Sequence, residues 1–321
     1  MTKKRLNAYV LLLIVSLIWG AAAAVVKNTL TWFDPLVFLT YRFAISAVIA
    51  GFVFAASPVA LPRTGKSRWI TFITMFLSTP LAIGLFFLAL NKTSALSGSL
   101  LTAGEPLFII LGGVLLFRER ITKMESIGIT VTLIGTAIAA LGPLVLNHTV
   151  NHVGTVEGNL LLICSVIADM FAALLTKLAI RHNVSSSLLA HGQFILSFLL
   201  FLPILFCTVP VATIVTEFAR APLQAHLGVL FMAVLSGSVA YALRNIAIQS
   251  IEISEVAVFY YLQPVWGSLL AVLWLGDRLT PAYTIGGIII TIGVVLSEYR
   301  RRKTKKLRFA RQPARVQKRR R

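Results

Sequence analysis

The chain has 321 residues, of which 57% are hydrophobic and only 13% charged, with a formal net charge of +19. A soluble domain carries roughly a quarter charged residues, so this composition excludes a water-coated globule and makes lipid the solvent for most of the surface. Thirteen of the 30 Lys and Arg lie in residues 300–321, so the charge is a tail and gives no reason to expect a nucleic-acid-binding domain.

A bilayer core takes about 20 apolar residues per helix. The sequence offers ten such runs, at 8–27, 35–56, 69–90, 94–117, 124–143, 157–180, 185–208, 225–249, 255–275 and 281–299. The first follows Lys3, Lys4 and Arg5 as a signal peptide would. No small-x-small cleavage site followed by polar sequence appears, so it reads as a retained helix. The runs are separated by turn and helix-start signals at Asp34-Pro35, Ser57-Pro58, Pro62, Gly142-Pro143, Val209-Pro210 and Thr280-Pro281. Cys164 and Cys207 fall inside apolar runs, which argues against a disulfide framework or a thiolate metal site. The expected fold is all-α, with ten membrane-spanning helices.

Ten spans put both termini on one side. Without the tail, that side carries ten Lys and Arg (Lys3, Lys4, Arg5, Arg63, Lys66, Arg68, Arg118, Arg120, Lys123, Arg181) against three on the other (Lys92, Arg220, Arg278). The positive-inside rule places the termini in the cytoplasm.

Residues 104–135 (GEPLFIILGGVLLFRERITKMESIGITVTLIG) align without gaps to residues 262–293 (LQPVWGSLLAVLWLGDRLTPAYTIGGIIITIG), 158 positions later. Pro106 pairs with Pro264, Glu119-Arg120 with Asp277-Arg278, Thr122 with Thr280, Gly128 with Gly286 and Gly135 with Gly293. A related register pairs Trp19 and Lys27 with Asp169 and Lys177, 150 positions apart. Five spans per half is odd, so the second half enters the membrane from the opposite side. An apolar chain with an inverted duplication is the sequence signature of an alternating-access carrier. The expected organisation is a basic segment at 1–7, a first repeat at 8–143, an exterior linker at 144–156, a second repeat at 157–299 and a disordered basic tail at 300–321.

Several of these motifs, in this order and spacing, resemble the drug/metabolite transporter superfamily and its ten-span EamA-type carriers. The resemblance runs through Trp19-Gly20 and Lys27, Tyr41-Arg42-Phe43, the segment TSALSGSLL at 93–101, Pro106 with Glu119-Arg120-Ile121-Thr122, then Pro264, Asp277-Arg278-Leu279-Thr280, Gly286 and Gly293. It implies two five-helix repeats around a central cavity, in a bacterial cytoplasmic membrane, and export or exchange of small metabolites such as amino acids. The halves also differ. Asp169-Met170 stands where the first half has Trp19-Gly20, His191-Gly192 where it has Tyr41-Arg42, and Glu105 where the second half has Gln263. The expected cavity is therefore asymmetric.

Ionisable groups in hydrocarbon are costly and usually face a cavity or a partner. Glu105 lies roughly 16 Å into the fourth run and Asp169 roughly 18 Å into the sixth, at 1.5 Å per residue. Both depths are near mid-membrane, where ionisation is expensive. A carboxyl there can hold a proton in one state and exchange it for substrate in another. Arg42 and Arg244 could bind a carboxylate or phosphate through their fork geometry, or reach to the nearer interface. Lys27 and Lys177, near run ends, read as interfacial. Trp19, Tyr41, Tyr260, Trp266 and Gln263 are candidates for the cavity wall, and aromatic belts or helix packing are the alternative reading. His148 and His152 lack a third ligand, and Asn147-His148-Thr149 is a glycosylation acceptor only in a secretory membrane. The tail is expected to lie against anionic lipid headgroups.

These features predict a secondary carrier of a small polar metabolite, with protons as the coupling ion, no cofactor and no nucleic-acid partner; a homodimer is compatible with them. The rival reading is an exchanger of anionic or nucleotide-linked solutes held by Arg42 and Arg244, without protons. No Walker A sequence, zinc motif, paired-aspartate motif or Ser/His/Asp spacing supports an ATP motor or an enzyme.

Overall fold

The computed structural model describes residues 3–57, 59–105, 107–108, 111–112, 123–145, 155–248, 259 and 262–310. Among these, every regular element is helical. They are α1 (Lys3–Thr29), α2 (Pro35–Ala56), α3 (Gly65–Phe76), α4 (Ala82–Lys92), α5 (Ala95–Thr102), α6 (Lys123–Val145) and α7 (Val156–Arg181). They continue as α8 (Ser186–Thr208), α9 (Val211–Arg220), α10 (Leu223–Leu230), α11 (Ala240–Ile248), α12 (Gln263–Leu275) and α13 (Pro281–Ala310). Five helical stretches are long and apolar enough to cross a bilayer: 6–29, 35–56, 65–92, 156–180 and 186–208. A sixth, 223–239, qualifies only together with α9, from which it is bent by 106°. Shorter apolar helices lie at 126–139, 263–275 and 281–296. The architecture is that of an all-α integral membrane protein.

The helix starts follow from local chemistry. Asp34 caps α2, accepting from Leu36 N–H at 2.8 Å, and Pro35 occupies the first position, where its missing N–H costs nothing. Thr64, Ser94 and Thr155 cap α3, α5 and α7 with their hydroxyls.

Two stretches widen to π geometry, Leu77–Leu81 between α3 and α4 and Phe231–Val239 between α10 and α11. In the first, Pro80 removes a ladder donor. In the second, outside donors engage the backbone: Trp19 Nε1 donates to Ser236 O at 2.9 Å and Ser46 Oγ to Ala233 O at 3.4 Å. Both stretches fall in the third predicted span of their half.

The packing partners interchange between halves. α1 packs on α10, α11 and α12, while α7 packs on α3, α4 and α5; α2 packs on α8, and α6 on α13. The α6–α13 pair shows the relation in detail. A Cβ on Gly135 would lie 2.8 Å from Ile290 N and 2.9 Å from Gly286 O. One on Gly293 would lie 2.7 Å from both Thr132 N and Gly128 O. Subtracting 158 from 290, 286 and 293 gives 132, 128 and 135, so the two contact sets are the same set seen from opposite ends. Gly128 faces Gly293 and Gly135 faces Gly286, so the helices run antiparallel about a local two-fold axis. The small residues let the backbones touch, as membrane helices need where no hydrophobic force drives them together.

Two expectations change. The tail at 300–321 was expected to be disordered, but α13 runs on to Ala310. Residues 300–310 are mostly Lys and Arg, with Thr304, Leu307, Phe309 and Ala310, and contain no Gly or Pro to break the helix. The turn signal at Val209-Pro210 is followed by a helix, α9, that buries none of its residues. Its apolar Val211, Ile214, Val215 and Phe218 fall at i, i+3, i+4 and i+7, the spacing of one helix face.

Candidate functional site

α5 stops at Thr102, and the chain turns through Ala103 and Gly104 before Glu105. The turn is held by Ala103 N–H to Leu100 O (3.2 Å) and Leu107 N–H to Gly104 O (2.9 Å). Pro106, the repeat partner of Pro264, lies outside the described residues. Asp169 lies midway along α7. The two acids, placed at similar depth from sequence alone, hydrogen-bond to each other through their side chains. Both are half-buried. Phe108, Val166, Met170 and Leu174 form an apolar cluster beside them.

The chemistry of this contact is restrictive. An ionised carboxylate only accepts hydrogen bonds, so two carboxyls bonded to one another hold at least one proton between them. Losing it would place two like charges side by side in an apolar surround, which needs a compensating cation.

The other predicted residues fall into separate groups. Gln263 and Trp266 lie at the α1–α12 seam against Gly20 and Ser16, while Trp19 reaches instead to Ser236 O. A Cβ on Gly20 would lie 2.8 Å from Gln263 O, and Trp266 Nε1 donates to Ser16 Oγ at 3.3 Å. Gln263 is the repeat counterpart of Glu105, and Trp19 that of Asp169. The seam thus holds the repeat counterpart of Glu105, with a neutral amide in place of the carboxyl.

Tyr41 joins neither group. It packs with Phe33, Phe218 and His226, and its hydroxyl lies 3.5 Å from His226 Nδ1. Arg42 is 3% exposed, its guanidinium 5.4 Å from the Phe43 ring centroid and 5.5 Å from that of Phe87. Such cation–π contacts hold the charge in the core. Arg244 lies half-buried on α11. Tyr260, with Glu119, Arg120, Thr122, His148 and His152, lies outside the described residues. Lys27, expected to reach for the interface, instead donates to Leu90 O at 2.7 Å. The end of α4 supplies that carbonyl, and Asp277 attracts the ammonium.

Sequence reasoning missed two features. His226 is a lone histidine with no motif around it. Glu217 on α9 accepts from Asp34 N–H at 3.0 Å and so ties α9 to the α1–α2 turn. Partial burial pushes the Glu217 carboxyl up from its ordinary value; the Asp34 N–H opposes this and the Asp34 charge adds to it.

Residues 6–141 and 156–299 each match the EamA-like transporter family. The chain belongs to the EamA-like transporter family. The family is one of transporters, not enzymes. An "Uncharacterized transporter" of Methanothermobacter thermautotrophicus is 26% identical, over 91% of this chain and 86% of its own. A "Probable terminal-alkyne amino-acid exporter" of Streptantibioticus cattleyicolor is 22% identical, over 87% of this chain and 89% of its own. A solved crystal structure shares the fold at a TM-score of 0.60 and 18% identity, covering 91% of this chain and 97% of the other.

Proposed function

We propose that this EamA-family transporter is a proton-coupled secondary carrier that exports a small polar metabolite, an amino acid among the candidates, by alternating access. The observation that carries the reading is the Glu105–Asp169 hydrogen bond, which requires a shared proton within the helix bundle. A cationic group on the substrate takes the place of that proton in the other state. The amino-acid assignment draws on the exporter relative, whose named substrate class carries an ammonium.

The carrier consists of ten spans in two inverted five-helix halves, supported by the two-fold contacts of α6 and α13 and by the interchanged helix partners. Its termini are cytoplasmic, in a bacterial inner membrane, supported by the basic residues that flank the predicted spans on that side. The basic tail lies on anionic lipid. The exchanger reading needs an arginine that a substrate can reach; Arg42, beside the Phe43 and Phe87 rings at 3% exposure, is closed off in this conformation, which leaves the half-buried Arg244 to carry that reading.

The test is uptake of a mixed pool of amino acids and small metabolites into inverted vesicles, with and without an imposed proton gradient. Gradient-dependent uptake is expected. Uptake that needs only a preloaded second solute and ignores the gradient would refute proton coupling.

A further inference from the structure

Asp277 lies in the turn between α12 and α13. α12 ends at Gly276, whose φ of +69° is the left-handed conformation that a side chain would strain. That reversal lets Asp277 N–H reach back to Ala271 O at 3.0 Å and turns the Asp277 side chain inward, where the residue is 7% exposed. Its Oδ2 accepts from Leu96 N–H at 2.9 Å.

Leu96 is in the first turn of α5, which Ser94 already caps from within the same half. Asp277 is a second cap, charged and supplied by the other half. A carboxylate at a helix N-terminus gains from both the charge-assisted bond and the helix dipole. Lys27, on α1, is attracted to the same carboxylate while it holds Leu90 O at the end of α4. One side chain thus gathers α1, the α4–α5 turn and the α12–α13 turn. The same end of the bundle carries further ties between the halves. Thr93 Oγ1 bonds Asn159 Oδ1 at 2.7 Å, Thr155 Oγ1 donates to Lys92 O at 2.7 Å, and Lys92 pairs with Glu157.

Glu105 lies nine residues beyond Leu96 on the segment that α5 begins. The proposed proton site and the Asp277 cap therefore lie nine residues apart on one segment, on either side of the turn that ends α5. We propose that Asp277 is a positioning residue that latches this end of the carrier shut, the exterior end in the orientation proposed above. It holds α5 in the closed arrangement, and its bond to Leu96 N–H breaks when that end opens. The proposal rests on the alternating-access reading.

The experiment uses the full chain with Cys164 and Cys207 replaced by Ser, reconstituted in vesicles, and a membrane-impermeant thiol reagent added at the Asp277 end. The reporter is Ala95→Cys, at a position 0% exposed in this structure. Asp277→Ala is expected to speed its labelling about tenfold, the loss of one charge-assisted bond. Asp277→Asn keeps a neutral acceptor and should fall between. A second reporter, Ala179→Cys, also 0% exposed and at the opposite end of α7, separates opening from loosening. Its labelling from its own side should stay level or fall. Unchanged Ala95→Cys labelling, or a parallel rise at both reporters, overturns the latch. Should Asp277→Ala fail to fold, the Asp277→Asn comparison decides by the same criteria. Labelling needs neither substrate nor gradient, so the latch and proton coupling can each fail while the other stands.

Discussion

The backbone contact between α6 and α13 makes a quantitative prediction. At Gly293 an added Cβ would meet Gly128 O and Thr132 N at 2.7 Å, and at Gly135 it would meet Ile290 N at 2.8 Å. Ordinary contact for a methyl carbon begins near 3.4 Å, so α6 and α13 would have to part by roughly half an ångström. Rotation of Thr132 can move its Oγ1, which also faces Gly293, but no rotation moves Gly128 O, Thr132 N or Ile290 N. Overpacking of this kind costs about 1–3 kcal/mol. Gly→Ala in a helix also gains about 1 kcal/mol of propensity, which would mask part of the loss. Gly51→Ala supplies the reference: Gly51 is in α2 with nothing within 4 Å of its added Cβ, so it takes the gain without the clash. The difference between Gly293→Ala and Gly51→Ala, measured as unfolding free energy in mixed micelles, should be about 1–3 kcal/mol. Gly135→Ala, the two-fold mate, should show a similar difference. Gly293→Ala as stable as Gly51→Ala would refute the α6–α13 contact. A large penalty at Gly293 with none at Gly135 would refute the local two-fold.

Glu105→Gln can still donate to Asp169 but carries no exchangeable proton; it should fold, keep exchange of preloaded solute and lose gradient-driven flux, and unaltered pH-dependent flux would make Glu105 a packing residue. Trp19→Phe leaves Ser236 O without its 2.9 Å donor, so its melting should report a loss of about 1–3 kcal/mol, whereas Trp69→Phe, at a site 67% exposed, should cost little. Glu217 has a folded pKa raised above 4.5, so its contribution to stability is complete below that value and is lost as pH rises through the folded pKa. Glu217→Gln keeps an acceptor for Asp34 N–H and should flatten the pH dependence of proteolytic cleavage in the α9 turn; an unchanged slope would assign that dependence to another group.

Span limits were legible because they are written in local chemistry. Asp34-Pro35 and Pro281 start helices where expected, and the predicted run at 35–56 coincides with α2. α9 was not foreseen because Pro210 reads as a turn and the helix that follows is short. What sequence could not supply was facing. Spans that are apolar all round carry little record of which side meets a neighbour, so the depth of Glu105 and Asp169 could be counted while their contact could not. Arg42 shows the same gap. Sequence left it open whether its fork binds an anion or reaches to the interface, and only the structure places it in the core beside Phe43 and Phe87.

The repeat carried more than was first taken from it. Where two halves are related by a two-fold, a contact between positions in opposite halves implies its mate 158 positions away, and Gly128, Gly135, Gly286 and Gly293 obey this rule. The positions that keep their chemistry between halves are thus the ones that hold the halves together. The positions that differ are where solute chemistry is proposed. Glu105 faces Asp169 on one side of the axis, and Gln263 lies against the turn of Trp19-Gly20 on the other. A symmetric pair of acid sites would put twice the charge into the membrane. With an amide and an indole at the mate positions, a single carboxyl pair stands on a scaffold whose helix contacts are symmetric.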